Sequence, residues 1–333
     1  MSLADLFTFG FMQRALLAAL ISGLLCPAVG AYIVQRRLSL LGDGLGHVAI
    51  AGVGLAMLTR LAPLPVAIVV CLIGALGIEW LRQRGRATAD VGLAILFYGG
   101  ISVGLLLAAL AGQGAGTLSQ YLFGSLITVT RGDLWLIAVL AVVVLGIGIG
   151  LAPQLFSVCL DEDYARTQGL PVRALNMLIV GMAAVTVTLS MRTVGLLLVS
   201  ALMVVPVAAA QNLAGSFKTT IGLAMGIGVL AGGGGTLVSA AANTPSGPTI
   251  VVVAIVVFGL AAAAAALRAR GRGVLVDATT PAATPAVVHI HHVVAETHGA
   301  DDAHHQAVLH DDHVDYLHDG HRHAPHGDHF DEH

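Results

Sequence analysis

Apolar residues run through the first 267 positions in blocks too long and too unbroken for amphipathic helices on a soluble core. A hydrocarbon layer about 30 Å thick needs roughly 20 apolar residues at about 1.5 Å rise each. Stretches 14–35, 38–60, 63–81, 91–111, 133–153, 174–191, 193–212, 219–241 and 247–267 meet that length. The pattern predicts an all-α polytopic membrane protein of about nine transmembrane helices. The apolar stretch 117–130 (TLSQYLFGSLITVT) is shorter and reads as a partial or interfacial helix. The first span lacks a small-residue cleavage site after a short apolar core, so it is expected to be retained. Pro27 and Pro206 inside spans predict kinks. Gly146, Gly148, Gly150 and the glycine run 232–235 predict helix backbones in close contact.

Composition agrees: 56% of residues are hydrophobic and 11% charged, against about 25% charged in soluble chains. Residues 174–267 carry only Arg192 and Lys218, which excludes a water-facing surface there. Up to Arg272 there are 15 basic and 8 acidic residues, net +7; from Gly273 onward there are 1 and 11, net −10. Fourteen of the 15 histidines fall between His289 and His333, leaving His47 alone in the apolar part. The chain therefore divides into a membrane domain (1–272), a Pro/Thr/Ala linker (273–288) and a His/Asp-rich tail (289–333). Cys26, Cys71 and Cys159 have no CxxC spacing and read as small buried hydrophobes. Arg and Lys collect at Arg36/Arg37, Arg82/Arg84/Arg86, Arg166/Arg173, Lys218 and Arg268/Arg270/Arg272, alternating with loops nearly free of positive charge. This distribution puts the N-terminus outside and the tail in the cytosol of a plasma membrane.

Asp43 and His47 stand in LSLLGDGLGHVAIAGVGLA. For a span beginning near Leu38, Asp43 lies about 7.5 Å and His47 about 13.5 Å along the helix, the latter near mid-membrane. The i, i+4 spacing puts both on one face, with Cβ atoms about 6 Å apart. A carboxylate in lipid costs at least about 2.5–3.5 kcal/mol, so something offsets it. Three offsets fit the spacing: a structural Asp–His hydrogen bond, a proton relay, or a transient divalent cation site. Two ligands do not complete a tetrahedral site, but a symmetric dimer supplies four. Gly42, Gly44 and Gly46 interleave the pair and predict close helix approach or local unwinding.

Four separated segments resemble one family: SLLGDGLGH with its Gly/Ala-rich continuation, YLFGSLITVTRGDL, DEDYARTQGLPVRALN and MRTVGLLLVSALMVVPVAAA. In this order they are similar to the permease subunits of bacterial ABC importers for zinc and manganese, from about Phe11 to Arg270. The resemblance implies the ABC importer permease fold. It also implies three partners: a second copy of the chain, a dimeric ATP-binding subunit and an extracytoplasmic metal-binding protein. In that family a G-D-x-x-x-H motif carries the ion, which implies Asp43 and His47 as ligands in the translocation path. Zn²⁺ or Mn²⁺ is then cargo and not a resident cofactor. The family more often has Ala or Ser at the interleaved positions.

No GxxxxGK[ST] motif occurs, and Lys218 in AGSFKTT lacks the glycine spacing, so the chain has no P-loop and is not expected to be an enzyme. The stretch 161–176 is the most charged before the tail. Composition alone fits a solvated loop. The resemblance implies ATPase docking through Asp163, Ala165, Gly169 and Pro171. Asp163, Ala165 and Gly169 fit the family's E-A-A-x-x-x-G spacing, with Asp for Glu and Tyr164 for the middle Ala, and Gly169–Leu170–Pro171 breaks the short helix.

From His289 the tail holds 14 His and 10 acidic residues in 45 positions, too little apolar content to fold alone, and is expected to be disordered. Its imidazoles, with an ordinary pKa of about 6.5, are mostly neutral in the cytosol and free to bind metal. Candidate ligands are His289, His291, His292, His304, His305, His310, His313, His318, His321, His323, His326, His329 and His333. Imidazole suits Zn²⁺ better than Mn²⁺, which tilts the cargo towards zinc. Three other classes fit less well. An intramembrane metalloprotease needs an HExxH pair, and none is present. A proton-coupled cation transporter normally needs a second acidic/His pair in the membrane. A membrane metal sensor without an ATPase needs fewer spans.

Overall fold

The computed structural model describes residues 10–85, 88–112, 121–124 and 129–273, and beyond them 292–294, 306–310, 313–318, 321–326 and 329–332. It divides into two units, Met1–Gly271 and Arg272–His333.

The described residues of the first unit are helical. In chain order they form α1 (Gly10–Gln35), α2 (Leu41–Thr59), α3 (Pro63–Gln83), α4 (Ala89–Ala94), a π turn (Ile95–Gly99) and α5 (Gly100–Leu110). Then come α6 (Arg131–Gly150), α7 (Ala152–Leu160), α8 (Glu162–Thr167), α9 (Val172–Ser190), α10 (Leu196–Gln211), α11 (Phe217–Ala242) and α12 (Ser246–Gly273). Eight segments among the described residues are long and apolar enough to cross a membrane, with α4, the π turn and α5 contributing one, Val91–Leu110. The chain is a multi-pass membrane protein.

The ninth span predicted at 193–212 is α10, which at 16 residues and about 24 Å is shorter than the other eight. Its first residues go into a turn over 191–194, followed by Gly195 at φ +90. A side chain on Gly195 would collide with the Phe123 carbonyl carbon. Segment 121–124 thus packs against this turn and adds no span. Residues 117–120 and 125–128 of the expected partial helix lie outside the described residues.

Close packing follows the glycines, as lipid supplies no hydrophobic drive between helices. An added Cβ on Gly23 of α1 would collide with the Gly228 carbonyl oxygen of α11, and one on Gly232 would lie 2.6 Å from the Ala19 carbonyl oxygen. Gly146 and Gly150 meet nothing within 4 Å, contrary to expectation, while the Gly148 carbonyl accepts from the Tyr32 hydroxyl at 2.7 Å. Helix α1 continues through Pro27, and α10 through Pro206. Helix α2 lies inside, against α3, α5, the π turn and α10. Val103, Leu105, Leu106, Trp135, Val142 and Leu260 are exposed and apolar, as a lipid-facing surface requires.

The second unit is described as five short antiparallel strands: β1 (His292–Val294), β2 (Gln306–His310), β3 (His313–His318), β4 (His321–His326) and β5 (His329–Glu332), in the order β1-β5-β4-β3-β2. This differs from the disorder expected of the tail. Composition does not register the two-residue spacing between His-bounded segments, among them Asp319 followed by Gly320, a pair that favours hairpins. Residues 274–288 of the linker lie outside the described residues.

Candidate metal centre

The chain turns between α1 and α2 at Arg37, whose φ is +57. Leu38 N–H donates to the Ile33 carbonyl and Arg37 N–H to the Val34 carbonyl, both at 3.0 Å, the paired bonds of a Schellman stop. Leu38 therefore closes α1, and α2 starts at Leu41 instead of near Leu38. Asp43 falls in the first turn of α2, about 3 Å along it, and His47 lies about 9 Å along, both shallower than predicted. First-turn N–H groups and the positive helix end favour a carboxylate there, which lowers the cost of placing Asp43 in the membrane.

Ser200 of α10 donates its hydroxyl to Asp43 Oδ1. Asp43 also lines a cavity of about 310 Å³ with Leu40, Leu93, Ala94, Phe97 and Tyr98. His47 is buried, and its ring stands edge-on to Phe97 with centroids 4.0 Å apart. Its Nδ1 has no hydrogen-bond partner among the described residues. The interleaved glycines serve close approach and α2 is unbroken: an added Cβ on Gly42 would lie 3.1 Å from Ser200 Cβ, on Gly44 3.3 Å from Leu96 Cβ, and on Gly46 3.2 Å from the Leu196 carbonyl oxygen. Among the described residues no three His, Cys, Asp or Glu side chains converge, so a single copy does not furnish a complete divalent-ion site.

The predicted docking segment is a capped knob. Asp161 accepts from the N–H groups of Asp163 at 2.9 Å and Tyr164 at 3.0 Å, starting α8. Gly169, at φ +77, ends it: Leu170 N–H donates to the Ala165 carbonyl and Gly169 N–H to the Arg166 carbonyl, a second Schellman stop, with Pro171 next. Asp163, Tyr164 and Gly169 are exposed. Ala165 is fully buried, so it anchors the knob and offers no surface to a partner. Glu162 points inward, accepting from Arg36 at the end of α1 at 2.9 Å and from Asn176 of α9 at 3.0 Å. Cys159 lies beside this cluster, where burial pushes its thiol pKa up to about 12.

Sequence reasoning missed Ser200, Phe97 and the Arg36–Glu162 bond. Ser200 had a signal, as the one polar residue between Leu196 and Pro206. Phe97 and Arg36 had none, because contacts between distant helices leave no mark in spacing. In the tail, the strand register sets His310 opposite His313, His318 opposite His321 and His326 opposite His329. His292 and His323 also fall on strands, whereas His289, His291, His304, His305 and His333 lie outside the described residues.

A bundle of membrane-crossing helices that buries an imidazole one turn from a carboxylate has a build that suits a membrane transport protein. Within that class, residues 8–265 match the ABC 3 transport family, and the chain belongs to it. The high-affinity zinc uptake system membrane protein ZnuB of Haemophilus influenzae is 28% identical over 73% of this chain and 93% of its own length. The manganese transport system membrane protein MntC of Halalkalibacterium halodurans is 30% identical over 74% of this chain and 85% of its own. The solved structure of PsaBC from Streptococcus pneumoniae in complex with Fab superposes with a TM-score of 0.68 at 28% identity, covering 78% of this chain and 95% of that chain.

Proposed function

We propose that this chain is the membrane subunit of an ATP-driven importer of divalent metal ions in a bacterial cell membrane, with zinc the first cargo and manganese the second. Asp43 and His47 hold the ion in transit. The observation that carries this reading is the couple itself: a half-buried carboxylate facing a cavity, and one turn along the same helix a buried imidazole whose Nδ1 is unpaired among the described residues. Two donors leave Zn²⁺ short of four ligands, so two copies related by a two-fold axis supply Asp43 and His47 from each. A site so weakly furnished releases its ion readily, as a passage must.

A separate dimeric ATPase drives the cycle by gripping α8, and an extracytoplasmic metal-binding protein delivers the ion. Closure of the ATPases moves α8, and the Glu162–Arg36 bond carries that motion to the end of α1, one short turn before α2. Similarity to ZnuB and MntC supports the metal class. The basic clusters support a cytosolic face at Arg36, Arg82, Arg166 and Arg268, and hence a cytosolic tail.

In cells starved of zinc and manganese, Asp43→Ala or His47→Ala is expected to lower uptake at least about 100-fold, since loss of even a group that only orients a ligand costs about 10–100-fold. Unchanged accumulation with both residues replaced overturns the reading. The tail serves as a cytosolic zinc acceptor, supported by the three H-x-x-H spacings at 310–313, 318–321 and 326–329, whose histidines pair in register. Titrated with zinc at pH 7.5, the full chain is expected to take up several ions that a chain ending at residue 288 does not. Equal uptake by both removes that role.

A further inference from the structure

The cavity beside Asp43 stops short of His47. Phe97 lines the cavity on one side and covers the imidazole on the other, while His47 is absent from the cavity wall. An ion entering from the cavity meets the carboxylate first and finds the imidazole behind an aromatic ring. Phe97 sits at the centre of the π turn, an extra-residue turn of a kind that recurs at functional sites. Two glycines follow shortly after it, with opposite surroundings: Gly99 has nothing within 4 Å of an added Cβ, while at Gly100 that atom would lie 2.6 Å from the His47 carbonyl carbon. The backbone is thus pinned to α2 just after the ring and unobstructed at Gly99. The buried Nδ1, without a partner among the described residues, is left unsatisfied in this arrangement.

We propose that Phe97 is the gate between the cavity and His47, and a specificity-determining residue for the cation. This rests on the reading that Asp43 and His47 hold the ion. When the ring swings into the cavity, an ion already on Asp43 gains the imidazole. Hard cations such as Ca²⁺ gain little from nitrogen and stay at the carboxylate, whereas Zn²⁺ is drawn further by the imidazole.

The test uses the full chain purified with its ATPase, following modification of His47 by diethyl pyrocarbonate with peptide mass spectrometry. In the wild type, His47 is expected to react slowly. Phe97→Ala is expected to raise its rate about tenfold or more, because the opening step is removed. Phe97→Leu keeps an apolar cover and packing, and its rate should fall between the two, which separates loss of the cover from loss of the fold. Zinc should protect His47 in every form, and Phe97→Ala should narrow the preference for zinc over calcium. Equal His47 rates in the wild type and Phe97→Ala, with zinc still protecting, overturn the gate alone. Absence of zinc protection in all forms overturns the ion-path reading beneath it.

Discussion

Glu79 and Asp43 are both carboxylates inside the helix bundle, and their surroundings differ. Glu79 on α3 is buried, and donors reach both of its oxygens: Arg82 Nε at 2.8 Å, Arg82 Nη2 at 2.9 Å and Gln83 Nε2 at 3.0 Å. Asp43 has the neutral Ser200 hydroxyl, with a cavity on its open side. A carboxylate matched by a guanidinium has nothing left to offer an ion. One held by a hydroxyl keeps its charge available. The same contrast separates Glu162, held by Arg36 and Asn176, from His47, whose Nδ1 is unpaired among the described residues. The saturated groups serve the fold, Glu162 by joining α8 to α1 and α9, and the unsaturated ones are those of the proposed ion path.

The sharpest way to break this comparison is stability. Arg82→Ala leaves Glu79 buried without its cation and is expected to cost about 3 kcal/mol, read from the denaturation midpoint of the purified protein in detergent. Asp43→Ala should cost less than about 1 kcal/mol on the same scale, since it removes no structural ion pair. If Asp43→Ala destabilises as much as Arg82→Ala, Asp43 is a structural residue. A smaller effect is expected at Ser200, which orients Asp43. Ser200→Ala should lower zinc uptake about tenfold while the fold stays intact, as for other groups that position a ligand. Wild-type uptake would mean that the hydroxyl does not set the carboxylate's geometry. The smallest effect belongs to the proposed docking knob, where Gly169→Ala places a side chain at φ +77 and costs about 1 kcal/mol. Co-purification of the ATPase should weaken with it; an undiminished complex would remove α8 as the docking element.

Much of the fold is legible in the sequence, because membrane spans depend on length and apolar content, which local residues carry. The exception is instructive: residues 193–212 are apolar enough for a span, yet Gly195 and the packing of Phe123 against it shorten α10. Asp43 and His47 are legible because a charge in lipid stands out. Their depth is not, because it depends on the Schellman stop at Arg37, a backbone event that the apolar pattern does not register. Ala165 shows the same limit: its spacing marks the knob, but only the folded chain reveals that it faces inward.

The most direct test of the account is ATP-dependent zinc uptake into proteoliposomes holding this chain and its ATPase, comparing wild type with His47→Gln. With the ion held by His47 in transit, the variant is expected still to hydrolyse ATP while its zinc uptake falls to the level seen without nucleotide. Uptake by His47→Gln at the wild-type rate would contradict it.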